Sequence, residues 1–292
     1  MRRREFITLV AGAAAWPLPA RAQERERIRR IGALMSFTAD DAAGHSRVVA
    51  FAQALAEAGW IEGRNLRMEI RWSAGDPERT RKYAAELVQL APDAILAVGS
   101  STTGPLLEAT RSVPVVFVQV AEPVGAGFVE TLSHPGGNAT GFMLYEYRIG
   151  AKWLQVLKEI APNIKRAGFL QNLGVATGPG EFGAMQAAGP SLGIELRPMN
   201  VRNVADIERA IAAFAAQQPN GGLVVAGGAP VSVHRDVVIR LALQHRLPAV
   251  YSDPAFAAEG GLIAFGPDRL DQYRRAAGYV DRILKGDSQA SA

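Results

Sequence analysis

The 292-residue sequence contains no cysteine, which excludes disulfides, thiolate nucleophiles, cysteine-held metals and a lipid-bearing cysteine near the N-terminus. Only four histidines occur, His45, His134, His234 and His245, and none has the H-x-x-x-H spacing that sets two ring nitrogens around a metal. Each reads as a surface or capping residue. The G-x-S-x-G elbow of a serine hydrolase is missing, since the nearest run places Ser101 between Gly99 and Thr103. A phosphate loop is missing too, because Gly104 is followed by Pro105 where Lys-Ser or Lys-Thr would be needed. No cofactor or metal is therefore expected. Excess charge is also scarce: the formal net charge is +4, and it falls to +1 without residues 1–22, which hold four arginines and one glutamate. That near-balance lacks the basic surface with which nucleic-acid binders neutralise phosphates, so no nucleic-acid partner is expected. The remaining basic cluster, Arg25, Arg27, Arg29 and Arg30, reads as a solvated tail and strand flank.

What the sequence does carry begins at its N-terminus. Arg2-Arg3-Arg4 is followed by an apolar stretch over 7–20 and by Ala20-Arg21-Ala22, the charged, apolar and small-residue order of a secretory signal. The stretch is too short to span a bilayer and remain there. Arg3-Arg4-Glu5-Phe6-Ile7 fits the twin-arginine pattern, an address for exporting folded protein. Cleavage after Ala22 and a free periplasmic location are the expectation.

From residue 31 onward, short β-branched runs alternate with longer amphipathic stretches, the βαβα rhythm that implies parallel sheets covered by helices. Strands are predicted over 31–36, 66–72, 94–99, 115–120, 166–170, 195–201, 222–226, 249–251 and 262–266. Helices are predicted over 46–58, 77–90, 103–111, 150–160, 183–192, 204–217, 234–245 and 270–284. Asp76-Pro77 and Asn203 with Asp206 signal helix starts, and Gly59 and Gly193 signal helix stops. The turn-rich run from His134 to Gly141 divides the chain into two halves of similar rhythm and is read as the approach to a crossover. A second crossing is expected near Phe265-Gly266-Pro267, after which 270–284 returns to the first lobe. The expected plan is an α/β protein of two Rossmann-like lobes with parallel sheets joined by a hinge: 23–141 with 265–292, and 142–264. Gly141, Phe265 and Gly266 are the hinge candidates. In such sheets a ligand is expected in the crevice beyond the carboxyl ends of the strands.

Several runs taken together resemble the solute-binding proteins of ABC importers, TrpX-like type, within the type I periplasmic-binding fold. They are Ala58-Gly59-Trp60-Ile61-Glu62-Gly63-Arg64-Asn65, Pro114-Val115-Val116-Phe117, Glu122-Pro123-Val124-Gly125, His134-Pro135-Gly136-Gly137-Asn138-Ala139-Thr140-Gly141 and Phe265-Gly266-Pro267-Asp268 with Tyr273-Arg274-Arg275. The resemblance implies a monomeric "Venus flytrap" that hands a small molecule to an ABC permease in the inner membrane and performs no chemistry on it. It departs from the family at Glu122, where an Asp is usual, and at Gln171-Asn172, where an Asn-Pro turn is usual. The family also continues past Lys285-Gly286 into a segment that returns to the second lobe, whereas this sequence ends at Ala292.

The candidate ligand contacts lie in the loops after strands. Gly99-Ser100-Ser101-Thr102 opens a helix, so backbone N–H groups and hydroxyls converge there on an anion such as a carboxylate, or Ser101 or Thr102 caps the helix. Glu122 follows a strand and can pair with a ligand ammonium or cap the turn before Gly125. Asp253, after Tyr251 and Ser252, is its counterpart from the other lobe or the N-cap of a short helix. Ser36, Phe37 and Thr38 end the first strand, and Phe37 or Tyr251 either stacks on an aromatic solute or packs in the core. Asn172 and Gly227 complete the set. An anion site facing carboxylates suits an amino acid or another small aromatic or carboxylate compound.

Two other readings use the same residues differently. A ligand-sensing module of a periplasmic signalling system would use the same cleft. A dinucleotide-dependent oxidoreductase would use Gly178-x-Gly180-x-x-Gly183, although this run stands eight positions beyond Leu170 and no acidic residue ends the next strand, where Val201, Arg202 and Asn203 stand.

Overall fold

The computed structural model describes residues 27–172, 178–217, 220–226 and 230–286. The signal region, Gly227 and the last six residues lie outside them. The apolar runs become strands and the amphipathic stretches helices, alternating except where β5 follows β4 directly. The first half comprises β1 (Arg29–Met35), α1 (Ala42–Glu57), β2 (Leu66–Trp72), α2 (Pro77–Gln89), β3 (Ala94–Val98), α3 (Ser100–Ala109), β4 (Val115–Val120) and β5 (Ala139–Met143). The second comprises α4 (Ile149–Ile160), β6 (Arg166–Gln171), α5 (Gly178–Ala188), β7 (Glu195–Asn200), α6 (Val204–Ala216), β8 (Gly221–Val225), α7 (Arg235–Gln244), β9 (Ala249–Tyr251), α8 (Pro254–Ala258) and β10 (Ile263–Ala264). The final helix, α9 (Arg269–Lys285), packs on α1 and β4 of the first half.

Each half holds one five-stranded, wholly parallel sheet, ordered β2-β1-β3-β4-β5 and β10-β9-β8-β6-β7. Both orders are the same when read from the first strand of each half. Strand order reverses between β1 and β3 and between β6 and β8, the places where such sheets open a crevice at their carboxyl ends. The fold is that of the type I periplasmic-binding proteins.

The central strands are apolar on both faces because helices cover both, whereas the edge strands β2 and β7 carry exposed polar residues. In the first half, Ile31, Ala33 and Met35 point to Phe51 and Leu55 of α1 and to Tyr273, Ala276 and Val280 of α9. Leu34, Ile95 and Phe117 point the other way, to Leu87 of α2 and Leu106 of α3. In the second half, Ala167, Phe169 and Val224 meet Trp153 and Leu157 of α4, while Leu170, Leu223 and Val225 meet Ile207, Ile211 and Phe214 of α6. Burying each of the larger aliphatic and phenylalanine side chains among them contributes about 1.5–3 kcal/mol. Asp76 and Asn203 cap α2 and α6 as their sequence signals, whereas Asp41, not Ser46, marks the start of α1.

Of the run from His134 to Gly141, expected as a turn and crossover, the last three residues instead open strand β5, paired in parallel with β4. Gly141 lies inside that strand opposite Phe117, and an added Cβ would stand 2.0 Å from the Phe117 carbonyl oxygen. Close approach explains the glycine, and the chain leaves the first sheet only after Met143. A bulge separates the Phe117 and Val120 pairings, and Gln119 within it has φ 57°, the left-handed region.

Candidate binding site

The loops that follow the strand ends of the two halves meet across a crevice, and the first contacts there are ionic. Asp41, the N-cap of α1, accepts at 2.9 Å from Arg235 at the start of α7, which also reaches Glu259 at 2.6 Å. Deeper, Arg47 of α1 donates to Asp253 Oδ2 at 3.2 Å, with both side chains about 5% exposed. Arg269, at the start of α9, brings its Nε within 3.2 Å of the same oxygen. The distance secures charge attraction, but the N–H is not aligned for a hydrogen bond. Burial raises the Asp253 pKa, yet the charges of Arg269 and Arg47 and the Ala255 N–H outweigh it and hold the carboxylate below its usual range.

Arg269 also ties the bulged strand end to the other half: it donates to Gln119 Oε1 at 3.0 Å and to the Ser252 carbonyl at 3.2 Å. Gln119 in turn donates from its backbone to Gln272 Oε1 at 2.8 Å and from Nε2 to the Tyr273 hydroxyl at 2.7 Å. Three residues of α9 thus hold Gln119, one through its backbone N–H and two through its side-chain amide. On the second-half wall, the Glu181 carboxyl is bonded to Gln171 Nε2 and to the Tyr145 hydroxyl. Burial pushes it up to about 8, against those two bonds and the Arg269 charge. Tyr147 lies across Gly180, where a Cβ would meet its ring, and burial followed by Glu181 and Glu122 pushes its hydroxyl up to about 12.

The predicted residues divide by placement. Gly99, with φ 80°, is itself the N-cap of α3, so no side chain covers the first-turn amides of Ser100 and Ser101. These two serines line a groove of about 590 Å³ whose other wall includes Asn172 and Arg202 of the second half. Glu122, with φ 42°, turns Oε1 back to the Tyr147 N–H at 3.2 Å. Thr38 is half-buried beyond β1 and Ser36 is buried.

Other placements correct the sequence reading. Thr102 is buried and its hydroxyl donates to the Gly99 carbonyl, so it faces its own helix and not a solute. Tyr251 is 1% exposed and stacks on Phe256 in the core, 4.7 Å between ring centres, leaving no face for an aromatic ligand. Phe37 is covered by the Arg47 guanidinium at 4.5 Å. Ser252 faces Arg269, and Asp253 both caps α8 through the Ala255 N–H and is shared by two arginines, so it is no free partner for an ammonium. Of the hinge candidates, Phe265 and Gly266 do lie where the chain returns to the first half. The Phe265 carbonyl accepts from the Trp153 indole at 2.7 Å, and Gly266 lies against the Ser252 carbonyl.

Arg47, Arg269, Gln171, Glu181 and Tyr145 did not stand out in the sequence, although a signal existed for three of them. Arg47 precedes Phe51 and Leu55 at four-residue steps, Arg269 precedes Tyr273 likewise, and Glu181 precedes Met185. Each is a charge in the apolar register of its helix, which is where a buried polar group announces itself. The glycines of the 178–183 run belong to α5, not to a strand-to-helix turn, so they form no dinucleotide loop. Among the described residues no group of three or more His, Cys, Asp or Glu could hold a metal ion.

Two parallel sheets whose strand ends share one crevice make up the type I periplasmic-binding fold. Residues 33–292 match the family of ABC transporter substrate binding proteins, and the chain belongs to that family. It is a substrate-binding protein and not an enzyme. A tyrosine-binding protein of Clostridioides difficile is 22% identical over 243 residues, 82% of this chain and 68% of the relative. A conserved domain protein of Vibrio cholerae superposes with a TM-score of 0.83 at 24% identity, covering 91% of this chain and 88% of the other. An ABC domain from Streptococcus pneumoniae in complex with L-Trp gives 0.81 at 20% identity, covering 90% and 87%.

Proposed function

We propose that this chain is exported by the twin-arginine route, captures a free amino acid in the periplasm and delivers it to an ABC permease in the inner membrane. The observation that carries the reading is the groove that draws its lining from both halves, Ser100 and Ser101 on one side and Asn172 and Arg202 on the other. A solute that touches both halves stabilises their closed arrangement by its differential affinity for the two states. The segments after Met143 and around Phe265-Gly266 serve as the hinge, and the protein acts as a monomer. The tyrosine and L-Trp named for two relatives support an amino acid as the solute class.

The test is thermal unfolding of residues 23–292 against the common L-amino acids, aromatic acids, purines and short carboxylates. A ligand that binds only the native state raises the midpoint by mass action, by about 2.7 kcal/mol of stability at a hundredfold excess over Kd. A saturable shift with an amino acid is expected. A shift only with solutes of another class, or a cooperative transition that nothing in the panel moves, would overturn the amino-acid reading.

A further inference from the structure

Among the described residues, three side-chain atoms are buried without a hydrogen-bond partner: Arg47 Nη1, Arg269 Nε and Gln171 Oε1. A buried polar atom left unpaired costs about 1–3 kcal/mol, and more when charged, so native proteins keep few. These three belong to one polar cluster. Arg47 and Arg269 converge on a single oxygen of Asp253, and Gln171 is bonded to Glu181, on which the Arg269 charge acts. One carboxylate shared by two guanidinium groups leaves positive charge in excess. Glu181, pushed up to about 8 by burial, is protonated at neutral pH and does not cancel it. The unused capacity is therefore two cationic donors and one neutral acceptor, and its chemical complement is a carboxylate next to an N–H or O–H donor.

We infer that Arg47, Arg269 and Gln171 form the head-group subsite, with the solute carboxylate on the two guanidinium groups and its ammonium or hydroxyl on Gln171 Oε1. The inference rests on the amino-acid reading above and sharpens it to α-amino and α-hydroxy acids with a free carboxylate, whose head group is held by residues that do not line the groove of Ser100 and Ser101. It departs from the arrangement expected from sequence, in which the α3 start holds the carboxylate and Glu122 the ammonium. Arg47 stands on α1 of the first half and Gln171 ends β6 of the second, so one small head group spans the crevice. Asp253 sets the orientation of both arginines by lying between them. Selection of the acid and closure of the crevice then draw on the same contacts.

The experiment is calorimetric titration of residues 23–292 with L-tyrosine, L-tryptophan, any other amino acid that shifts the unfolding midpoint, and the matching amides and desamino acids. Arg47→Met, Arg269→Met and Glu122→Ala are titrated alongside, and Arg47→Lys covers the case in which Arg47→Met fails to unfold cooperatively. Amides are expected to lose about 10- to 100-fold in affinity, as the arginine variants should, the range set by one charge-assisted bond. Desamino acids should lose about tenfold, and Glu122→Ala should change little. Amides binding as well as acids, or arginine variants within about twofold of the parent while Glu122→Ala loses affinity, would overturn the inference and leave the amino-acid reading intact. Failure of the parent chain to bind any amino acid would overturn both.

Discussion

Replacing Glu181 with glutamine isolates the consequence of keeping a carboxyl inside the second half. In the folded chain burial pushes this group up to about 8 from an ordinary 4.5, and the unfolded chain returns it to the ordinary value. Below pH 4.5 both states are protonated and nothing is lost. Between 4.5 and 8 the unfolded chain ionises while the folded chain keeps its proton, so stability falls as pH rises, by about 1.4 kcal/mol per unit. Above 8 the full loss is in place, on the order of 5 kcal/mol at most. Glutamine has the same shape, can still bond to Gln171 and Tyr145, and cannot ionise. Urea unfolding of parent and Glu181→Gln at pH 4, 5.5, 7 and 8.5 should therefore give curves that coincide at the acid end and diverge by several kcal/mol at the alkaline end. Taking the difference cancels every other titrating group the two chains share. A constant difference across this range would refute the assignment of Glu181 as a buried, protonated acid.

Other expectations follow from the same contacts. Gly141→Ala should destabilise by about 3 kcal/mol, because the new methyl meets the rigid backbone of Phe117 and not a movable side chain; thermal unfolding measures it, and a loss under about 0.5 kcal/mol would show that the strands separate easily. Arg235→Ala leaves the buried Asp41 carboxylate without its cross-half partner and should cost about 2 kcal/mol by chemical denaturation. If the loss vanishes at high salt, the pair is a surface contact. Leu157→Ala, in the core under α4, should cost about 2–5 kcal/mol, read as a shift in the denaturation midpoint.

Much of the fold was legible because helices cover both faces of each sheet and so make the strands continuous apolar runs. The 94–99 and 115–120 segments read correctly for that reason, as did α2 from Asp76-Pro77. β5 was not legible: Ala139-Thr140-Gly141 follows His134-Pro135-Gly136-Gly137, and the turn residues masked a strand whose glycine is fixed by contact with Phe117. At the site, Ser100, Ser101 and Asn172 were reached by asking which loops follow strands. The arginines were not, because a charge buried in a helix stripe is visible only against the stripe, and its partners lie as much as 206 residues away in sequence. Glu181 stood inside a glycine run that drew attention to the wrong chemistry.

The bond from the Trp153 indole to the Phe265 carbonyl, with the Tyr145 ring edge-on at 5.2 Å, gives the molecule an optical gauge. Trp60 and Trp72 belong to the first half, whereas Trp153 is the only tryptophan of the second. Its emission reports the place where the chain passes back between halves. In residues 23–292 with Trp60 and Trp72 changed to phenylalanine, Trp153 is the one tryptophan left, and its fluorescence would follow that crossing without any attached dye.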